Sequence, residues 1–212
     1  MNILVTGGAS GLGEAITRRL AAVEGFKIYF TYCHSKENAL ILEKQCGNTR
    51  AAYCDFTKES TIQDLVEKFD EWNLDILVNN ALVGMSQNYF HKIDTQLFKK
   101  SFEENVLPVV KITQKAIEVF RKKKSGKIIT ILSAAITQPP IGMSEYCANK
   151  AYLASLSLSW ARENEKFNIT SDCVSPTLMK TGLTKNWDTR LFEKEKLLTV
   201  GEAADKIFCL LL

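Results

Sequence analysis

An α/β architecture, with a parallel sheet wound on both faces by helices, is the fold this sequence predicts. Three observations lead to it. Short apolar runs recur along the 212 residues, and each is followed by a stretch long enough for a crossover helix. Parallel neighbours need such crossovers, and a parallel sheet covered on both faces follows from the alternation. The first run, Ile3-Leu4-Val5, leads into a glycine-rich turn, Thr6-Gly7-Gly8-Ala9-Ser10-Gly11-Leu12-Gly13, and then into a helical pattern. Finally, the polar residues that could carry chemistry fall at or just after the ends of the runs, where open α/β sheets place their ligands.

In chain order, strands are expected near 2–6, 27–31, 50–54, 75–79, 127–132 and 169–174. Helices are expected near 11–23, 35–45, 58–71, 94–121, 144–164 and 201–212. The whole reads as a single Rossmann-type three-layer domain, doubly wound, with strand order 3-2-1-4-5-6. Ala15, Ile16, Leu20 and Val23 carry the helical spacing of the first helix. Arg121-Lys122-Lys123-Lys124 closes the helix begun near Asp94, where cations complement the helix dipole and Gly126 offers a C-terminal cap. That basic run therefore reads as a solvated helix end rather than a nucleic-acid contact.

The 46% hydrophobic and 24% charged residues and the net charge of +3 are ordinary globular values. No apolar run approaches the roughly 20 residues of a membrane helix. The first strand begins at residue 3, so no signal peptide is expected. Cys33, Cys46, Cys54, Cys147, Cys173 and Cys209 form no paired ligand spacing and read as reduced cysteines of a cytoplasmic protein. His34 and His91 are isolated, so no metal site is expected.

The chemistry starts from Tyr146 and Lys150, one helical turn apart and on one face. An ammonium beside a phenol favours phenolate and lowers the tyrosine pKa from about 10. That arrangement makes a general acid/base without histidine or metal. Alone, the pair is a weak signal. Ser133 by itself could simply end a strand, and Asn105 could be a surface residue. The glycine turn gives them weight: it permits close backbone approach, and the following helix offers free N–H groups to a pyrophosphate.

With these motifs in register, the chain resembles the short-chain dehydrogenase/reductase family over residues 1 to about 180. The turn at residues 6–13 matches the family's TGxxxGxG pattern, and Asn79-Asn80-Ala81 matches the start of its NNAG motif. Asn105, Ser133, Tyr146 and Lys150 match its catalytic tetrad in order and spacing. The resemblance implies that Tyr146 exchanges a proton with the oxygen of a carbonyl or alcohol substrate and that Lys150 lowers its pKa and holds the nicotinamide ribose. Ser133 would hold the substrate oxygen, and Asn105 a proton-relay water. It also implies cofactor contacts at Gly7, Ser10, Gly11, Leu12 and Gly13, at Asp55 and Phe56, at Asn79, Asn80 and Ala81, and at Pro176 and Thr177. Leu82 and Thr177 stand where the family has glycines, and the pattern lacks a seventh strand: either the sequence is truncated or the sheet ends one strand early.

After the second strand, Tyr32, Cys33, His34, Ser35 and Lys36 offer no carboxylate before Glu37. NAD-preferring sites place an acidic residue there, so NADP(H) is favoured over NAD(H), although Ser10 is not the basic residue many NADP-dependent relatives carry. Substrate walls are expected from Ala134, Ala135 and Ile136, from Val83, Gly84 and Met85, from Ile141 to Met143, and from the chain after Pro176. A lid is expected near 181–198. The reading is thus an NADP(H)-dependent carbonyl reductase or its reverse, with a small-molecule substrate and neither nucleic acid nor membrane as partner. The resemblance further implies a homodimer through the Tyr146 helix and the one before it. The alternative is a non-catalytic dinucleotide sensor or scaffold on the same fold.

Overall fold

The computed structural model describes residues 1–177, 179 and 199–211. Six strands, β1 (Asn2–Val5), β2 (Lys27–Tyr32), β3 (Thr49–Tyr53), β4 (Ile76–Asn79), β5 (Gly126–Ile131) and β6 (Ile169–Val174), form one sheet in the order β3-β2-β1-β4-β5-β6. Every pairing is parallel. Each strand that the apolar runs predict is present, with ends shifted by a residue. The two-residue period of a strand divides the core between the faces. Ile3 and Val5 point into one hydrophobic cluster, with Ile28, Phe30, Val78 and Ile129. Leu4 points into the other, with Tyr29, Leu77 and Ile128.

The crossovers carry α1 (Gly11–Ala21), α2 (Lys36–Gln45), α3 (Glu59–Val66), α4 (Phe69–Trp72), α5 (Thr95–Asn105), α6 (Leu107–Lys123) and α7 (Ser144–Asn164), followed by α8 (Val200–Leu211). Two helices differ from the sequence reading. The stretch 58–71 divides into α3 and α4. The long helix expected over 94–121 breaks at Val106, whose φ of −111° is distorted from regular helix geometry. Pro108 explains the break: it lacks an N–H, its ring collides with the preceding turn's carbonyl, and it is tolerated in the first turn of a new helix. Asn105 consequently ends α5 instead of lying mid-helix.

The cap after the basic run is also different. Lys124, at φ +53°, takes the left-handed position, and Gly126 opens β5. Gly126 is required there by space, because a Cβ would sit 2.2 Å from the Phe120 ring. Nor is the basic run merely solvated. Arg121 bonds Asn164 Oδ1 at 2.6 Å, Lys122 bonds Asp70 at 3.1 Å, and Lys123 pairs with Asp75. The expected lid at 181–198 and residue 212 lie outside the described residues. No helix among the described residues is long and apolar enough to cross a membrane.

Candidate active site

The carboxyl ends of the strands open onto a cleft of about 1270 Å³. At one end lies the glycine turn. Gly7, at φ +64°, bends the chain out of β1 and donates from its N–H to Thr31 Oγ1 at 2.8 Å. Gly13 cannot carry a side chain, since a Cβ would stand 2.1 Å from Gly7 O. Glu14 N makes the helical bond to Ser10 O at 3.1 Å, so the N–H groups before it in α1 have no helical acceptor. Gly7, Ser10, Gly11, Leu12 and Gly13 all line the cleft.

Beyond the turn, Tyr32, His34, Ser35, Asp55 and Phe56 form the far wall. Asp55 accepts from Thr57 N at 3.0 Å and Thr57 Oγ1 at 2.7 Å. Those Thr57 bonds, with Lys58 Nζ 3.2 Å away, hold its carboxyl below the usual range. Lys36 is exposed and is not part of the lining.

Asn80, Ala81, Pro176 and Thr177 also line the cleft. Thr6 Oγ1 fixes the first two by accepting from Asn80 N at 2.9 Å and Ala81 N at 3.0 Å. Asn79 lies beneath, donating to Thr113 Oγ1 at 2.9 Å. Leu82 fits without strain because the positive φ falls at Gly84 instead. Pro176 O accepts from Ala134 N at 3.0 Å, tying the chain after β6 to the chain after β5.

Tyr146, Lys150 and Ser133 meet at the other end of the cleft. Ser133 leaves β5 in extended backbone and its Oγ accepts from Ala135 N at 3.1 Å. It also lies near enough to the Tyr146 phenol to act against the rise in that group's pKa. Lys150 is buried, and its Nζ donates to Ile131 O at 2.7 Å and lies 5.9 Å from the centre of the Tyr146 ring. β4 pairs with β5 only as far as Asn79 and Thr130, which leaves the Ile131 carbonyl for the lysine.

The ionisation of this pair corrects the expectation of an acidic tyrosine. Burial pushes the Tyr146 phenol up, and only the neighbouring Ser133 hydroxyl pulls the other way. Burial likewise pulls the Lys150 ammonium down, to about 8. Desolvation outweighs the attraction expected from spacing alone, because the same pocket that brings the groups together removes their water.

Asn105 is absent from the cleft but reaches the back of the site. Its Oδ1 accepts from Val83 N at 2.7 Å and its Nδ2 donates to Val83 O at 3.1 Å. Of the expected substrate walls, Val83, Gly84, Met85, Ala134, Ala135 and Met143 line the cleft, whereas Ile136 does not and Ile141 is exposed. Gln138 and Pro140 take their place. Sequence reasoning also missed Asn38, which donates to Ala9 O at 2.6 Å and to Glu14 at 2.8 Å, fastening α2 to the glycine turn. A polar residue on a helix face carries no local sign of such a partner.

The model of the family described as short chain dehydrogenase matches residues 1–191. The chain belongs to that family. It is an NAD(P)-dependent oxidoreductase of that class. It is 31% identical over 184 residues to the 3-oxoacyl-(acyl-carrier-protein) reductase FabG of Escherichia coli (strain K12), covering 86% of this chain and 75% of the relative. It is 32% identical over 204 residues to the uncharacterized oxidoreductase YvaG of Bacillus subtilis (strain 168), covering 94% and 76%. Among solved structures, a closed form of serine dehydrogenase complexed with NADP+ superposes with a TM-score of 0.87 at 25% identity, over 99% of this chain and 88% of that one.

Proposed function

We propose that the protein is an NADP(H)-dependent reductase that converts a ketone or aldehyde to an alcohol, or runs the reverse. The observation that carries this reading is the meeting of Tyr146, Ser133 and Lys150 in one cleft with the glycine turn. The residues fit a dinucleotide: the free N–H groups of α1 suit a pyrophosphate, and the cleft has room for both cofactor and substrate. In this reading Gly7, Ser10, Gly11, Leu12 and Gly13 hold the pyrophosphate, and Asp55 and Phe56 border the adenine. Asn80, Ala81, Pro176 and Thr177 flank the nicotinamide, with Asn79 supporting them from below.

A bound nicotinamide supplies the hydride. Tyr146 gives the substrate oxygen its proton, and the burial that raises its pKa keeps that proton in place until it is needed. Ser133 donates to the same oxygen and stabilises its growing charge. Lys150, buried beside the phenol, holds the ribose and returns the proton. Asn105 orients the chain at Val83 and supports the relay water. Preference for NADP(H) rests on His34, Ser35 and Lys36 after β2, where no carboxylate opposes a phosphate before Glu37. The NADP+ bound to the serine dehydrogenase neighbour agrees with that preference.

The substrate in this reading is neutral and largely apolar, since Val83, Met85, Pro140 and Met143 line its end of the cleft. The protein acts as one domain, in the cytoplasm, where its free cysteines stay reduced. A homodimer forms across α7, whose Ala148, Ala151, Ser155 and Ser159 are small and lie at its surface and whose Tyr152 and Leu158 are exposed apolar residues. Absorbance at 340 nm with NADPH and a panel of ketones and aldehydes tests the reaction. NADPH binding without oxidation by any panel member would favour the scaffold alternative, and a monomeric mass in solution would remove the dimer.

A further inference from the structure

Glu145 precedes the tyrosine in the first turn of α7 and is only 4% exposed. A carboxylate so deeply buried requires partners. Its Oε1 accepts from Ser86 Oγ at 2.7 Å, while its Oε2 is buried and has no hydrogen-bond partner among the described residues. Glu145 borders a cavity of about 10 Å³, shared with Ser101, Asn105, Tyr146, Asn149 and Lys150. That volume holds about one water, enough to satisfy Oε2. Glu145 does not line the main cleft, so it acts on the reaction only through what it holds.

What it holds is the chain after β4. Ties along this segment include Val83 to Asn105, Ser86 to Glu145, Gln87 Nε2 to Ile141 O at 3.3 Å, and Asn88 N to Gly142 O at 2.9 Å. Between the first two ties, Gly84 sits at φ +55° with nothing within 4 Å of where its Cβ would be. Val83 packs against the core, while Leu82, Val83, Gly84 and Met85 together form a wall of the cleft. Beyond Val83, the position of this wall is held by the hydrogen-bonded ties.

We infer that Glu145 is a positioning residue for this wall: through Ser86 it fixes the Leu82–Met85 stretch beside Tyr146 and so decides how bulky a carbonyl substrate the cleft accepts. The inference rests on the proposed function for the identity of the substrate end, and one arm of its test needs no substrate.

The test uses the full chain as wild type and as E145Q, E145L, S86A and S86A/E145L. Hydrogen exchange of the peptide spanning 82–89 reads the wall directly. E145Q keeps an oxygen for Ser86 and should exchange like wild type. E145L and S86A should each exchange about tenfold faster in this peptide, and the double variant no faster than either, as a shared tie requires. In the second arm, KM for ethyl acetoacetate and ethyl benzoylacetate is measured with NADPH. Loss of the tie should raise KM for the smaller ester about tenfold, spare the bulkier one, and leave kcat within about threefold. Unchanged exchange in both E145L and S86A, or effects that add in the double variant, would overturn the inference. If E145L fails to fold, S86A alone decides the exchange arm. A wild type that oxidises no NADPH would count against the proposed function, leaving exchange to judge the wall.

Discussion

Lys150→Met isolates the cost of burying an ammonium at the centre of the site. Burial lowers the Lys150 pKa from 10.5 to about 8. Between those values the unfolded chain binds a proton that the folded chain does not, so wild-type stability rises with pH across this window. Below about pH 8 both states are protonated and the cost is present in full. Every tenfold difference in proton affinity between the two states is worth about 1.4 kcal/mol, so from pH 7.5 to pH 10 the wild type should gain about 2 to 3 kcal/mol relative to Lys150→Met. Comparing the two proteins cancels the titration of the cysteines and tyrosines common to both. Loss of the 2.7 Å bond to Ile131 O remains in the difference between the two proteins, so the test reads its change with pH and not its absolute size. Urea unfolding at several pH values provides the measurement. Stability curves that stay parallel within about 0.5 kcal/mol over this range would refute the claim that Lys150 is held in a desolvated site. The variant should also lose turnover at every pH, a trade of activity for stability.

Other outcomes follow from the same geometry. Tyr146→Phe should abolish NADPH oxidation while leaving NADPH affinity within a few-fold, because the phenol acts on the substrate oxygen; retention of most turnover would remove Tyr146 as proton donor. Gly13→Ala drives a Cβ to 2.1 Å from Gly7 O, so calorimetry should find NADPH binding lost or weakened at least about a hundredfold, and normal binding would contradict the geometry of the turn. Lys36→Glu should weaken NADPH much more than NADH. Equal loss of both in fluorescence titrations would argue against a phosphate contact, a pointed test because Lys36 lies outside the cleft lining.

The strands and the glycine turn were legible because their causes are local. Ile3, Leu4 and Val5 form a run buried on both faces, and Gly7 and Gly13 stand where backbone conformation and close approach permit nothing larger. Tyr146 and Lys150 were legible through helical spacing, and α7 begins and ends where its pattern does. Pro108 was visible too, but the divided helix depends on how its ring meets the preceding turn.

The sheet, its crossovers and the residue types gathered at the strand ends could be read along the chain, since periodicity and glycine geometry act over a few residues. Charge states and fastenings arise from the folded packing. Whether Tyr146 is made more or less acidic depends on water removed by β5, α7 and the chain after β6 together. Asn38, Asn105 and Glu145 found partners at Ala9, Val83 and Ser86, positions 29, 22 and 59 residues distant in the chain. A side chain's own neighbourhood in sequence holds no trace of such a partner, because folding alone brings the two together.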